Sequence, residues 1–309
     1  MTTLGLDHAL VAVRDLDAAR ATYQALGFLS RGLSQHPWGT STMVLIFRDQ
    51  LFEVVSLGAP ELLDGYETGG FRFGRHVERH LREQEGVALT ALNSSDAEAD
   101  EAGLRARGIG VTGTIDFGRD VTRADGTADR TSTRLKILSD PRHPRLSLFA
   151  CQQFRRDLIE YPEWMDHPNT ATGIAGYTIV APDAAREEIV ARLAKIHDTS
   201  IPDTTAHDTT AHGTMTWADG QDALIATARG RWRVTDEAGF VRRYGVAPPL
   251  AEPLRPGICA IDIACTDPDR AAGIAAAAGL PAVRIGDGQV LQRANHLGGI
   301  VLRYAAGND

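Results

Sequence analysis

The feature that most constrains this chain is an eleven-residue segment that occurs four times. Residues 5–15 align without gaps with residues 86–96, 173–183 and 257–267, at offsets of 81, 168 and 252. Each copy opens on Gly and closes on Asp. Each places an aliphatic side chain second (Leu6, Val87, Ile174, Ile258) and seventh (Val11, Leu92, Ile179, Ile263). A segment repeated in this way marks one supersecondary element that buries its apolar face against its neighbours, so four copies of one unit must fill the chain.

The unit reads as an alternating strand that runs into a helix. The closing Asp is placed to cap the helix, because its carboxylate can accept from the free N–H groups of the first turn. After Asp15, the side chains of Leu16, Ala19, Tyr23 and Leu26 fall on one helical stripe, and Gly27 supplies a left-handed stop. Gly108 and Gly279 stand at the same distance from Asp96 and Asp267; the third copy has Lys195 there, so its helix is expected to run on toward His197. Three strands are predicted after the first helix, over residues 28–33, 41–47 and 51–57, the last two joined by the turn at Arg48, Asp49 and Gln50. The unit is therefore βαβββ. The second copy ends in strands over 132–138 and 146–153, and the fourth in strands over 290–292 and 300–304. Residues 200–213 carry the tandem TTAHD-TTAHG and read as a loop; a site built on its His207 and His212 would be imprecise.

At 309 residues the chain suggests two domains of two units each. Residues 1–154 form the first, 155–172 a connecting segment rich in charge, and 173–309 the second. Trp164 and His167 in the connection are expected to pin the halves together, and residues 58–87 form a Gly-rich, charged insertion. A net charge of −8 argues against a nucleic-acid partner, which needs clustered Lys and Arg. Cys151, Cys259 and Cys265 are sparse and odd in number, and the last two share one strand and cannot bridge, which suggests a reduced, cytoplasmic location. Asp7 interrupts the apolar stretch near the N-terminus, so neither a signal peptide nor a membrane span is expected there. No phosphate-binding loop, dinucleotide fingerprint or nucleophile elbow occurs.

Several stretches resemble the vicinal oxygen chelate superfamily, in its glyoxalase-like members: LDHALVAVRDLDAARATYQALGF from Leu6, HPWGT from His36, LFEVVS from Leu51, RADGT from Arg123 and PEWMDHPNTATG from Pro162. The resemblance implies an α+β fold in which paired βαβββ units wrap into two open barrels. It also implies a divalent metal, Zn, Fe, Mn or Ni, held on the inner face by ligands from the first and last strands of a unit. Such a cation can bind two neighbouring oxygens of a small substrate and stabilise the charge that develops there.

His8 stands at the fourth position of the first strand, where the resemblance places a ligand, and Glu53 lies mid-strand at the end of the first unit. Strand parity puts His8 on one face with Leu6, Leu10 and Ala12; if Val11 and Val13 pack on the helix, His8 faces the interior. The equivalents of His8 are Leu89, Gly176 and Ala260, none of which can ligate through its side chain. The closing strands of the second and fourth units offer Gln153 or Cys151, and Arg303, without a carboxylate. A half-site is therefore expected in the first half. His8 and Glu53 are its metal ligands, and His36, Gln153 or water completes it. Glu53 and His36 are the catalytic candidates; His36, Trp38, Gln153 and Arg123 are the substrate-binding ones. Arg123 also belongs to an Arg-Ala-Asp-Gly run that reads as a hairpin turn.

These residues suggest a metal-dependent lyase, isomerase or dioxygenase that acts on a small vicinally oxygenated molecule. The alternative is a metal-free protein that sequesters a small molecule in the same cavity. A monomer or a homodimer fits either reading. If His8 and Glu53 share a site, their nitrogen and oxygen should lie about 3 to 4 Å apart, the separation of two ligands each about 2 Å from one ion. The cavity of the second half should lack a metal geometry and be filled by side chains or occupied only by solvent.

Overall fold

The computed structural model of the protein describes residues 4–123, 125–199, 215–218, 222–251 and 254–307. All four repeat segments are strands, Gly5–Ala12, Gly86–Asn93, Ala171–Val180 and Gly257–Cys265. Six α-helices occur among the described residues: α1 (Leu16–Ala25), α2 (Phe73–Glu83), α3 (Ala97–Ala106), α4 (Asp183–His197), α5 (Glu237–Tyr244) and α6 (Pro268–Ala277). Helices α1, α3, α4 and α6 follow the repeat strands, as the alternation requires.

Three of the four closing aspartates cap as expected. Asp15 accepts from the backbone N–H of Ala18, Asp96 from those of Glu98 and Ala99, and Asp267 from that of Arg270. Asp183 does not. Pro182, with φ −65° and ψ 153°, takes the cap position, no side chain caps α4, and the Asp183 carboxylate accepts from Arg186 at 2.8 Å instead. The fixed proline φ starts this helix one residue early. Gly27, Gly108 and Gly279 take φ near +78°, +77° and +74° and stop their helices, while α4 runs to His197 and turns at Asp198, φ +54°.

Each half builds one eight-stranded sheet with the same strand order. In the first the order is Ser34–Gln35, Thr40–Phe47, Gln50–Leu57, Gly5–Ala12, Gly86–Asn93, Leu148–Gln153, Thr133–Leu138, Gly113–Phe117. In the second it is Met215–Ala218, Asp222–Ala226, Arg231–Thr235, Ala171–Val180, Gly257–Cys265, Val301–Ala306, Gly288–Leu291, Ala282–Ile285. The two repeat strands pair antiparallel at the centre, and each runs parallel to the closing strand of its own unit. The sheets curl into open half-barrels, which is the expected α+β architecture.

One predicted strand does not form. Residues 28–33 form no strand, and only Ser34–Gln35 pairs at the sheet edge. Their backbone is engaged elsewhere: the Leu29 N–H donates to His167 Nδ1 at 2.9 Å, and Phe28 is buried in the core. The insertion at 58–87, where no element is predicted from the sequence, carries α2, whose Phe73, Val77 and Leu81 repeat at helical spacing and are buried. His207 and His212 lie outside the described residues.

One continuous apolar core joins the halves, running from Leu4 and Leu6 through Tyr23 on α1 and Leu193 on α4 to Tyr304. Gln50 ties both sheets across it: its Nε2 donates to the carbonyls of Leu6 and Ile174, and its Oε1 accepts from the Ile174 N–H. His167 holds the connecting segment on the first unit by donating from Nε2 to the Ile46 carbonyl at 3.1 Å while Nδ1 accepts from Leu29. Helix α2 covers the concave face of the first sheet and α5 that of the second. All three cysteines are free and buried. Among the described residues no helix is long and apolar enough to cross a membrane.

Candidate functional site

The pairing of Gly5–Ala12 with Gly86–Asn93 shifts register between Leu6 and His8. Such a bulge re-aims side chains. Here it leaves two successive ones, Asp7 and His8, buried side by side, with His8 Nδ1 and Asp7 Oδ1 at 3.3 Å. The pair is close enough for charge attraction but makes no aligned hydrogen bond. The other Asp7 oxygen accepts from Arg156 Nη2 at 2.9 Å.

His8 Nε2 faces Glu53 Oε2 at 3.4 Å, inside the 3 to 4 Å expected of two groups that share a site. Glu53 sits on Gln50–Leu57 opposite Leu10 in parallel register. Its second oxygen, Oε1, accepts from the Thr42 hydroxyl at 2.6 Å and lies 3.3 Å from His36 Nε2. His36 is oriented by Thr40, whose Oγ1 lies 2.9 Å from Nδ1, and by the Trp38 ring stacked on it at 4.6 Å. One carboxylate thus stands between two imidazoles.

The electrostatics of the three groups differ. Burial pushes the His8 pKa down, but the Asp7 and Glu53 carboxylates outweigh it, so His8 is raised above its ordinary value and favours the imidazolium. Burial pushes the Glu53 carboxyl up, but His36, His8 and the Thr42 hydroxyl hold it below the usual range. His36 falls to about 4, because burial dominates and the Glu53 charge only partly offsets it. Their surroundings therefore favour the charged forms of His8 and Glu53 and the neutral form of His36.

His8, His36, Trp38, Glu53 and Gln153 all line one cavity of about 40 Å³. A void of this size holds a small number of water molecules. Gln153 reaches it with its Oε1 accepting from Thr133 at 2.7 Å. Cys151 lines it too, but burial pushes its thiol well above the ordinary value, so it offers no thiolate. Arg123 does not reach the cavity. It sits at an exposed hairpin, where its N–H donates to the Thr127 carbonyl, Gly126 takes φ +84°, and its guanidinium pairs with Asp129 at 2.7 Å. The run forms the expected turn, and the structure does not bring Arg123 together with the other substrate-binding candidates. The arginine that lines the cavity is Arg119, whose Nη1 donates to Ser34 Oγ at 2.7 Å and whose charge acts on both Glu53 and His36. Nothing in the sequence singled it out, because it precedes the hairpin and falls outside every motif.

The donor set suits a divalent cation in its chemistry. Two imidazoles and a carboxylate are the ligand types of Zn, Fe, Mn and Ni sites. The His–Glu separations match those of ligands about one ion. Asp7 beside Nδ1 is the outer carboxylate that commonly orients a ligating histidine. As the side chains stand, each imidazole faces a different Glu53 oxygen, and among the described residues no three His, Cys, Asp or Glu groups converge on one point. A common centre requires the Glu53 carboxylate to rotate.

A family profile described as a glyoxalase-like domain matches residues 6–197. Among solved structures, a hypothetical protein from Staphylococcus aureus is similar with a TM-score of 0.66 at 13% identity, over 98% of this chain and 100% of that one. A variant of 4-hydroxymandelate synthase from Streptomyces coelicolor is similar with a TM-score of 0.53 at 12% identity, over 98% and 93%. At these identities the likeness concerns the fold. No curated protein sequence matches the chain.

Proposed function

The chain belongs to the glyoxalase-like domain family, and from that premise we propose that its first half is the active site of a metal-dependent lyase, isomerase or dioxygenase for a small molecule with neighbouring oxygens. The observation that carries the reading is the Glu53 carboxylate flanked by His8 and His36 at 3.4 and 3.3 Å in the lining of one cavity. His8 and Glu53 would hold the cation, with His36 or Gln153 completing its shell. A bound divalent ion would supply Lewis acidity to two substrate oxygens and stabilise the anion that forms on them.

The chain's own residues do the rest. Asp7 attracts the Nδ1–H of His8 and so presents Nε2 to the cavity. His36, neutral at physiological pH, has a lone pair to accept a substrate proton. Trp38 leaves its indole N–H without a partner, and Arg119 brings positive charge, so both favour an oxygen-rich ligand. A substrate of more than a few heavy atoms exceeds about 40 Å³, so Trp38 or the hairpin after Arg119 must shift to admit it.

A second reading, a metal-free binding protein, draws on the charge balance already present. Glu53 is offset by the His8 imidazolium and the Thr42 hydroxyl without a cation. Elemental analysis of protein purified without chelators separates the two. About one equivalent of metal that is lost in His8→Ala and Glu53→Gln supports the enzyme. Substoichiometric metal that His8→Ala leaves unchanged overturns it and puts the binding reading first.

A further inference from the structure

A larger cavity, about 480 Å³, lies between the halves and apart from the first-half site. One wall is the face of α2 that carries Arg79, His80 and Glu83; the others are the 141–145 loop, the first turn of α4 and residues 254–256. We infer that this cavity binds a small amphiphilic anion, a carboxylate or phosphate group on an apolar body.

Charge is the first argument. Four arginines, Arg79, Arg142, Arg145 and Arg255, line the cavity against one carboxylate, Glu83, in a protein whose net charge is −8. Glu83 is divided between Arg145, 2.7 Å from its Oε2, and Arg255, 3.2 Å from its Oε1. Arg142 pairs with Glu188, and Arg79 makes no ion pair among the described residues. The excess of fixed positive charge in a partly enclosed space attracts an anion.

Unsatisfied buried groups are the second. Arg145 is only 7% exposed, and its Nη1 has no hydrogen-bond partner. His80, 6% exposed, has no partner at Nδ1. A buried guanidinium with a free donor costs free energy unless something accepts from it. An anion on Arg145 would do so, with a charge-assisted bond.

The walls give the rest of the ligand. Four proline rings and the Leu254 side chain line the cavity, so the body carried by the anion should be apolar. The volume falls in the range of small-molecule sites, roughly 300–1,000 Å³. Pro182 and Ala185 of α4 belong to the same wall, and α4 is the repeat helix that no aspartate caps. Its positive end therefore adds to the field that the arginines set up.

Calorimetric titration of the full chain at low salt with benzoate, phenyl phosphate and the neutral benzyl alcohol tests the inference. The expected result is one equivalent of benzoate or phenyl phosphate, bound at least about tenfold more tightly than benzyl alcohol, the factor a charge-assisted bond provides. Arg145→Met should lose at least about tenfold, and Arg79→Gln, on an exposed side chain without a partner, about threefold with no change in thermal midpoint. His8→Ala should bind as the wild type does. If Arg145→Met does not fold, Arg79→Gln decides. Equal affinity for the alcohol and the anions, wild-type affinity in Arg79→Gln, or loss of binding in His8→Ala would each overturn the site.

Discussion

The two halves have one strand order and opposite interiors. The register of the closing strands makes the contrast residue by residue. Leu10 faces Glu53, and its equivalents Ala91, Thr178 and Asp262 face Phe149, Arg233 and Arg303. The second half therefore places arginine at both positions that correspond to Glu53, and Gly176 and Ala260 where the first half has His8. Each arginine is matched by its own acid. Arg233 donates to Asp222 at 2.6 Å, and Asp262 takes Arg303, Arg243 and the Tyr244 hydroxyl. Helix α5 then drives Phe240 and Tyr244 into the concave face, whereas α2 leaves room above His8. The repeat dictates a scaffold, and the register position that holds a carboxylate beside two imidazoles in the first half holds an arginine paired with an acid in the second.

The largest expected effect tests that closure. Phe240 is fully buried, and Phe→Ala in such a place costs about 3–5 kcal/mol through lost contacts and the void left behind. Phe240→Ala should lower the denaturation midpoint accordingly, with little change in metal content. A loss below about 1 kcal/mol would mean that the second interior is not packed shut.

Next comes the ligand pair. His8→Ala or Glu53→Gln should weaken divalent-metal affinity by about 100-fold or more, while Arg233→Gln leaves it unchanged. Titration of the three variants with Zn, Mn or Ni checks the contrast. Equal weakening in Arg233→Gln would erase the division of labour between the halves.

Acid should then act on His8 and His36 in opposite senses. His36 titrates near 4 in the fold against about 6.5 when unfolded, so the unfolded chain takes up the proton first and stability falls as pH drops from about 6.5 toward 4. Its share over that interval is on the order of 3 kcal/mol. His8 is raised, so its contribution is complete below the unfolded value and is lost as pH climbs through the folded one. Urea midpoints at pH 5 and 8 should show His36→Gln closing the gap with wild type at the acid end and His8→Gln closing it at the alkaline end. The same sign in both variants would contradict the charge states assigned to the site.

Much of this was legible in the sequence, and the failures have physical causes. The repeat exposed the strands and helices because a period of four matching segments survives divergence that hides single motifs. His8 and Glu53 were found because their positions are fixed by strand register, and Trp38 and His36 because they share a motif. Arg119 was not, since a loop residue acquires its place from where the chain folds back. Arg123 stands apart from the cavity because its motif describes a turn, and its guanidinium pairs within the hairpin. The strand expected over 28–33 failed because a distant His167 offers the Leu29 N–H a better acceptor than the sheet edge does. Helix α2 was not read because only Gly and polar residues, Gly74-Arg75-His76 and Glu78-Arg79-His80, stand between its apolar Phe73, Val77 and Leu81.

The smallest effect concerns the four aspartates that close the repeat. Asp15 and Asp267 each accept from a free N–H of the first helical turn, at 2.9 Å from Ala18 and from Arg270. Removing either acceptor leaves that donor to water, and Asp→Ala should cost about 1 kcal/mol. Asp183 lies inside α4 and pairs with Arg186 on an exposed face, an interaction of about 0.3–0.5 kcal/mol. Asp183→Ala should therefore cost less than half as much as Asp15→Ala, although sequence alignment makes the residues equivalent. Chemical denaturation of the three variants decides it. Equal losses would show that Asp183 caps its helix after all, and that Pro182 does not shift the start of α4 away from the pattern of the other three units.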